Sequence, residues 1–193
     1  MHQKLIVMAS LTVLAGCGAA AAIAATASQP TEVTAHAISP DARPYAPGTR
    51  VGQSSLGNRV FTGAKRGFAL ANLRNGSTYP ATTTDGGRTW RIAGGHFHIA
   101  AANGPAAVTE VGAGGRGTYF AYAGPGGGQA VDVTTDGGKH WWQAFLPGQP
   151  EAVVYSAVTR PGELIAFEQG HPTYVYVSKD GGRHWRLSHS DDS

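Results

Sequence analysis

The octapeptide TTDGGRTW occupies residues 83–90, TTDGGKHW residues 134–141 and SKDGGRHW residues 178–185. A phrase that returns in successive segments marks a repeat architecture, each copy being one supersecondary unit. Asp85, Asp136 and Asp180 lie 51 and 44 residues apart, close to the length of one four-stranded sheet with its turns. Within the phrase, Asp-Gly-Gly supplies two residues that reach positive φ without strain, while the carboxylate can accept the turn's own N–H groups. Thr83, Thr134 or Ser178 adds a hydroxyl two positions earlier, and Trp90, Trp141 or Trp185 can fold back over the turn. The octapeptide reads as a hairpin turn that builds structure.

Each turn is flanked by strand-like runs, STYPATTT, QAVDVTTD and TYVYVSKD before it and TWRIAGG, HWWQAFL and HWRLSHS after it. Upstream of these lie GFALANL from Gly67, GTYFAYAG from Gly117 and GELIAFEQ from Gly162, preceded in turn by RVFTGA, AAVTEVGAG and AVVYSAV. Every unit therefore offers four short strands separated by turn residues. Charged residues are only 14% of the chain and glycines number 28, which suits short strands and many turns. The expected fold is all-β, with three four-stranded antiparallel units at about 58–95, 106–147 and 151–190.

The pattern [S/T]-x-D-x-G-x-x-W resembles the Asp-box, or BNR repeat, and all three copies match at every fixed position: Thr83, Asp85, Gly87, Trp90; Thr134, Asp136, Gly138, Trp141; Ser178, Asp180, Gly182, Trp185. That family includes sialidases, sortilin-type receptors and photosystem II assembly factors. The wider phrase from GFALANL to TTTDGGRTW looks most like the assembly-factor group. The resemblance implies β-propeller blades over residues 58–190 and leaves the activity open, since one fold hosts unrelated functions. Propellers close with about four to eight blades. Three blades imply a partial propeller, or half of a six-bladed dimeric ring. Residues 51–100 carry six basic groups against Asp85, and residues 150–193 four basic against six acidic, so a two-fold ring would set basic first blades on acidic third blades.

The chain opens on a leader, MHQK followed by the apolar LIVMASLTVL. Leu14-Ala15-Gly16-Cys17 resembles a bacterial lipobox, which implies cleavage after residue 16 and a lipid on Cys17, the chain's one cysteine. An exported protein with a single cysteine has no internal disulfide to form, and lipidation gives the thiol a role. Two other readings stand beside it: ordinary secretion with cleavage after Ala27, and a retained apolar helix over residues 5–27. All three place the rest outside the cytoplasm. Residues 17–50, rich in Ala, Thr, Ser and Pro, are expected to be a tether, and residues 51–193 the folded domain.

Candidate chemistry is sparse. The sialidase resemblance implies an arginine triad, a tyrosine nucleophile with a glutamate partner and an acid/base aspartate. Arg59, Glu110 and Tyr155 fall in the first strand of their units and could face a central channel. WRIAG at 90–94 lacks the proline of the family's arginine motif. Glycoside hydrolysis needs two flanking carboxyl groups, and few acids fall at inner-strand positions. GAGGRG at 112–117 fits a dinucleotide fingerprint by letter but leads into a strand pattern where a helix is required. His96 and His98 share one face of an extended run, half of a metal site without further ligands, and His140 and His184 precede their box tryptophans. Arg59, Arg66 and Arg74, with Lys65, form a basic cluster suited to anionic lipid or acidic glycan, and export argues against nucleic acid. Trp142 adds a second indole that suits sugar or protein contact, or burial against the neighbouring unit.

Taken together, these features lead to the expectation of a non-catalytic envelope or cell-surface lipoprotein that binds a protein or acts as an assembly factor. The alternative is a glycan-binding or sialidase-like glycosidase module. No cofactor or metal is implied, and a homodimer is one way to complete the ring.

Overall fold

The strand-like runs form strands. A computed structural model describes residues 30–38, 45–74, 77–97, 108–115, 117–124, 128–156, 162–169 and 173–191. Among them there is no α-helix, and the strands make three antiparallel five-stranded sheets. The first sheet is built on β4 (Leu56–Phe61), β5 (Gly67–Asn72), β6 (Thr78–Thr83) and β7 (Trp90–Ile92). The second uses β8 (Glu110–Ala113), β9 (Tyr119–Tyr122), β10 (Ala130–Thr134) and β11 (Trp142–Phe145). The third uses β12 (Gln149–Ser156), β13 (Glu163–Gln169), β14 (Thr173–Ser178) and β15 (His184–Asp191). In each sheet an octapeptide joins the third of these strands to the fourth.

The fifth strand of each sheet comes from the amino-terminal segment. There β1 (Glu32–Thr34) pairs with β15, β2 (His36–Ala37) with β11 and β3 (Arg50–Val51) with β7. The chain thus laces the outer edges of the third, second and first sheets in that order before building any of them. Backbone bonds fix the belt, including Leu187 N–H to Thr31 O (2.9 Å), Ala35 N–H to Arg183 O (2.7 Å), Ile38 N–H to Trp141 O (2.9 Å) and Ile92 N–H to Thr49 O (2.9 Å). The hydroxyl of Tyr176 donates to Pro30 O at 2.8 Å.

This corrects the expected tether over residues 17–50, since 30–38 and 45–50 belong to the folded body. An edge strand gains its bonds through the backbone whatever its side chains. Among the described residues here, Ala35, Ile38 and Val51 are buried and Val33 and Tyr45 pack against the core, a short run of small residues that is a weak strand signal. Cys17 and the alternative cleavage site at residue 27 lie outside the described residues. No described helix is long and apolar enough to cross a membrane.

The sheets pack face to face in chain order, with β4 against β8 and β8 against β12. Phe68 and Leu70 of the first sheet meet Tyr119, Ala121 and Trp141 of the second in one apolar cluster. Phe120, Val131 and Val133 of the second meet Leu164, Ala166, Tyr176 and Trp185 of the third in another. In both, the face carrying the turn's tryptophan lies on the preceding sheet. Burying a side chain of this size contributes about 1.5–3 kcal/mol.

Among the described residues no sheet packs on the Trp90 face of the first sheet, which is covered locally. Val51, Ala69, Ala71, Tyr79, Ala81, Trp90 and Ile92 form a third cluster with Tyr45, Leu56 and Leu73 against it. The segment through the 3-10 turn η1 (Gln53–Ser55) carries the chain from the outer edge strand β3 to the inner edge strand β4. On the way, Gln53 Nε2 donates to Gly87 O (2.7 Å) and its amide oxygen accepts from Arg59 Nη1 (3.3 Å). Phe61 stands edge-on to Trp90, with ring centroids 5.8 Å apart.

A chain shortened to begin at Val51 should therefore lose an edge strand from all three sheets. We expect its thermal midpoint to fall by roughly 5–15 °C relative to a chain beginning at residue 30, from several net backbone bonds lost. Equal midpoints would show that the belt adds nothing.

Candidate functional site

The octapeptide turns are built as their residues dictate. In the first, Thr83 Oγ1 donates to Asp85 Oδ1 (2.8 Å) and accepts from Gly87 N–H (3.0 Å), while Thr89 N–H donates to the same carboxylate oxygen (2.9 Å). Trp90 Nε1 closes the turn on Gly87 O at 3.1 Å. The second and third turns repeat this with Thr134, Asp136, Gly138, Trp141 and with Ser178, Asp180, Gly182, Trp185. Both glycines of every turn have φ between 74° and 97°, a conformation that disfavours any side chain. The second glycine also faces the preceding sheet. A Cβ on Gly138 would meet Ala93 at 2.9 Å, and one on Gly182 would meet Val133 at 2.6 Å.

The residue before each tryptophan binds its own turn. Thr89 Oγ1 donates to Asp85 Oδ2, and His140 Nδ1 and His184 Nδ1 lie against Asp136 Oδ2 and Asp180 Oδ2, each at 2.6 Å. The Thr89 hydroxyl and N–H, with the Thr83 hydroxyl, hold the Asp85 carboxyl down at about 2. Burial pushes Asp136 up, but the His140 N–H and ring and the Thr134 hydroxyl outweigh it and leave it at about 2. Asp180 is lowered against its burial by the equivalent His184 and Ser178 bonds.

The remaining candidate residues do not converge. Register places Tyr155 opposite Leu164, at the turn end of the third sheet, and Glu110 opposite Tyr122 in the second. Tyr122 is three positions beyond Tyr119, the equivalent of Leu164, so Glu110 sits about 10 Å of strand rise farther from the turns. Glu110 lies 3.4 Å from the Asn58 side-chain amide, whereas Arg59 is engaged with Gln53. Arg66 and Arg74 are exposed at opposite ends of β5. Half-buried Tyr155 packs into the cluster between the second and third sheets. Trp142 is half-buried there too, with the Arg183 guanidinium 4.9 Å from its ring centre. His96 lies tilted against Tyr79, with ring centroids 5.7 Å apart, and His98 is outside the described residues. No group of three or more metal-ligating side chains occurs among the described residues.

Of the buried acids, Asp132 and Glu168 escaped the sequence reading. Asp132 in β10 is fully buried, with the Gln143 side chain as its polar neighbour. Burial pushes its carboxyl well above the usual range, and Gln143, opposite it on β11, offsets this in part. The sister sheets place Ala81 with Ile92 and Tyr176 with Leu187 at these positions. Glu168 accepts from Gly148 N–H at 3.0 Å through one oxygen and is also raised by burial. An acid at a strand position where both sister repeats are apolar was the available signal.

The distinctive surface is the last face of the third sheet. Of its register equivalents in the first and second sheets, Phe68, Leu70, Phe120, Val131 and Val133 are at most 3% exposed, and Thr82 and Tyr122 are half-buried. Ile165 pairs with Val177 as Phe120 pairs with Val133 and Phe68 with Thr82. No fourth sheet follows among the described residues, and Phe167 is 38% and Val154 43% exposed. At the turn end of this face opens a cleft of about 380 Å³, floored by Val177 and lined by Glu163, Lys179, Asp180, His184 and Arg186. Arg186 Nε lies 3.7 Å from Glu32 of the belt. The arrangement is an apolar strip with a rim of both charges, chemistry suited to binding.

No protein-family model, curated protein or solved structure matches the chain.

Opposite pH signatures follow for the two kinds of acid. The depressed turn carboxylates stabilise the fold above the ordinary value of 3.8 and lose that contribution as pH falls toward about 2. Asp85→Asn should lower the thermal midpoint at pH 7 and flatten its fall between pH 4 and 2. The raised Asp132 stabilises most when protonated, and its contribution is lost as pH rises from the ordinary value through the raised one. Asp132→Asn should gain roughly 1–2 kcal/mol at pH 7 and nothing at pH 3. Midpoints of the three proteins from pH 2 to 8 check both, and a loss of stability in Asp132→Asn at pH 7 would contradict the second.

Proposed function

We propose that the chain is a non-catalytic binding module: three blades of an Asp-box propeller, tethered to the envelope through a lipid on Cys17, that display the open face of the third blade to a protein. One observation carries the reading. The face buried in the first two sheets is uncovered in the third, and Phe167 and Val154 stand in water on it. Contiguous exposed apolar area of this kind marks interaction sites on soluble surfaces. Rigid sheets supply the support and the charged cleft supplies orientation. The order of the sheets, with inner strands β4, β8 and β12 side by side, supports reading them as neighbouring propeller blades. The Asp-box geometry supports the same family reading.

Glycoside hydrolysis draws no comparable support. Glu110, Arg59 and Tyr155 stand at different heights on their strands, and each is engaged by a different neighbour. The role fits an assembly or scaffolding protein of the envelope.

A photo-crosslinking residue at position 167, in envelope membranes from cells that make the protein, should give a discrete adduct. The same residue at Arg91 should give none. Cys17→Ser should move the protein from the membrane fraction to the soluble one. Absence of any adduct at 167, or hydrolysis of a fluorogenic sialoside abolished by Glu110→Gln, would contradict the reading.

A further inference from the structure

A sheet face that is buried twice against another sheet, and left open once, is shaped to receive a sheet. We infer that the open face of the third sheet is a self-association surface, on which two copies of the chain pack these faces together across a two-fold axis. The inference rests on the reading that this face binds protein, and it names the protein as a second copy.

The occupant follows from what a second copy can offer. Among the described sheets, the faces between the first and second and between the second and third are consumed internally. The Trp90 face of the first sheet is covered by its own strap: Gln53 is bonded to Gly87, Trp90 and Tyr79 are 0% exposed, and Phe61 lies against Trp90 with its outer side still 44% exposed. A head-to-tail ring of two chains would seat the third sheet on that closed face. The apolar sheet face that a second copy presents without rearrangement is the same one, so the contact is isologous.

The surface suits such a contact. Val154, Ile165, Phe167, Val175 and Val177 form adjacent rows on three paired strands. Two such faces can stack about 10 Å apart with strands aligned within about 30°. The rim sets Lys179 and Arg186 beside Glu163 and Asp180, so the two rims meet without net repulsion.

The test uses the full chain in mild detergent, by light scattering across a concentration series at low and high salt. The expected result is a dimer whose mass is insensitive to salt, because its contact is apolar. Phe167→Glu, which changes a solvent-facing residue and keeps its unfolding transition, should weaken the dimer at least tenfold. In a Cys17→Ser background, single cysteines at Val154, Phe167 and Val175 should be oxidised, and at least one should link to itself in a second copy. A chain monomeric at every concentration overturns the inference. So does a salt-sensitive dimer in which a third-sheet cysteine links only to Phe61→Cys, which is the head-to-tail ring. An adduct at position 167 to a different protein, with the chain monomeric, overturns the inference and leaves the binding reading standing. A monomer with no adduct removes both.

Discussion

The structure depends on one carboxylate per sheet. Asp85, Asp136 and Asp180 each gather the N–H groups and hydroxyl of a tight turn, and this places a tryptophan over the turn's second glycine. In the second and third sheets that glycine and tryptophan are the contact with the sheet before. Gly138 lies against Ala93, Gly182 against Val133, and Trp141 against Gly94. A local hydrogen-bonded turn thereby sets the spacing between whole sheets. Its residues are fixed by geometry: glycine for positive φ and close approach, tryptophan for area and one N–H.

A stack built this way has two ends, and the chain treats them differently. At the first end, the strap through Gln53 and the ring of Phe61 occupy the place a preceding sheet would take. At the last end nothing among the described residues does so. The amino-terminal belt covers the outer edges of all three sheets, shielding unpaired backbone groups from other chains. The result is a stack with guarded edges, one closed end and one open face, and the open face is where binding chemistry gathers.

Most of this architecture was legible in the sequence because it repeats. The turn, its bonding and the four strands of each unit follow from the octapeptide and its flanks. The belt was not legible, since residues 32–37 pair through the backbone and their alternation rests on only Val33, Ala35 and Ala37 within an Ala-, Thr- and Pro-rich segment. Nor was the strap, because Gln53 and Phe61 act through contacts with residues far along the chain. The candidate site was read least well. Arg59, Glu110 and Tyr155 share a strand in their units, but register puts them at different heights, and a one-dimensional reading does not carry register. The open face needed two facts together: which residues are equivalent across repeats, and that no described strand packs on the outer face of the third. Asp132 was readable as an acid between valines, and its burial required knowing that both faces of the second sheet are covered.

The central claim is that, of three equivalent faces, only the last is open, and hydroxyl-radical footprinting of the full chain tests it most directly. The account predicts that Phe68 and Phe120 stay unmodified at every protein concentration, while Phe167 is modified in dilute solution and becomes protected as concentration rises. Equal modification of all three phenylalanines would contradict the stacked sheets, and a Phe167 unmodified even at the lowest concentration would contradict the open face.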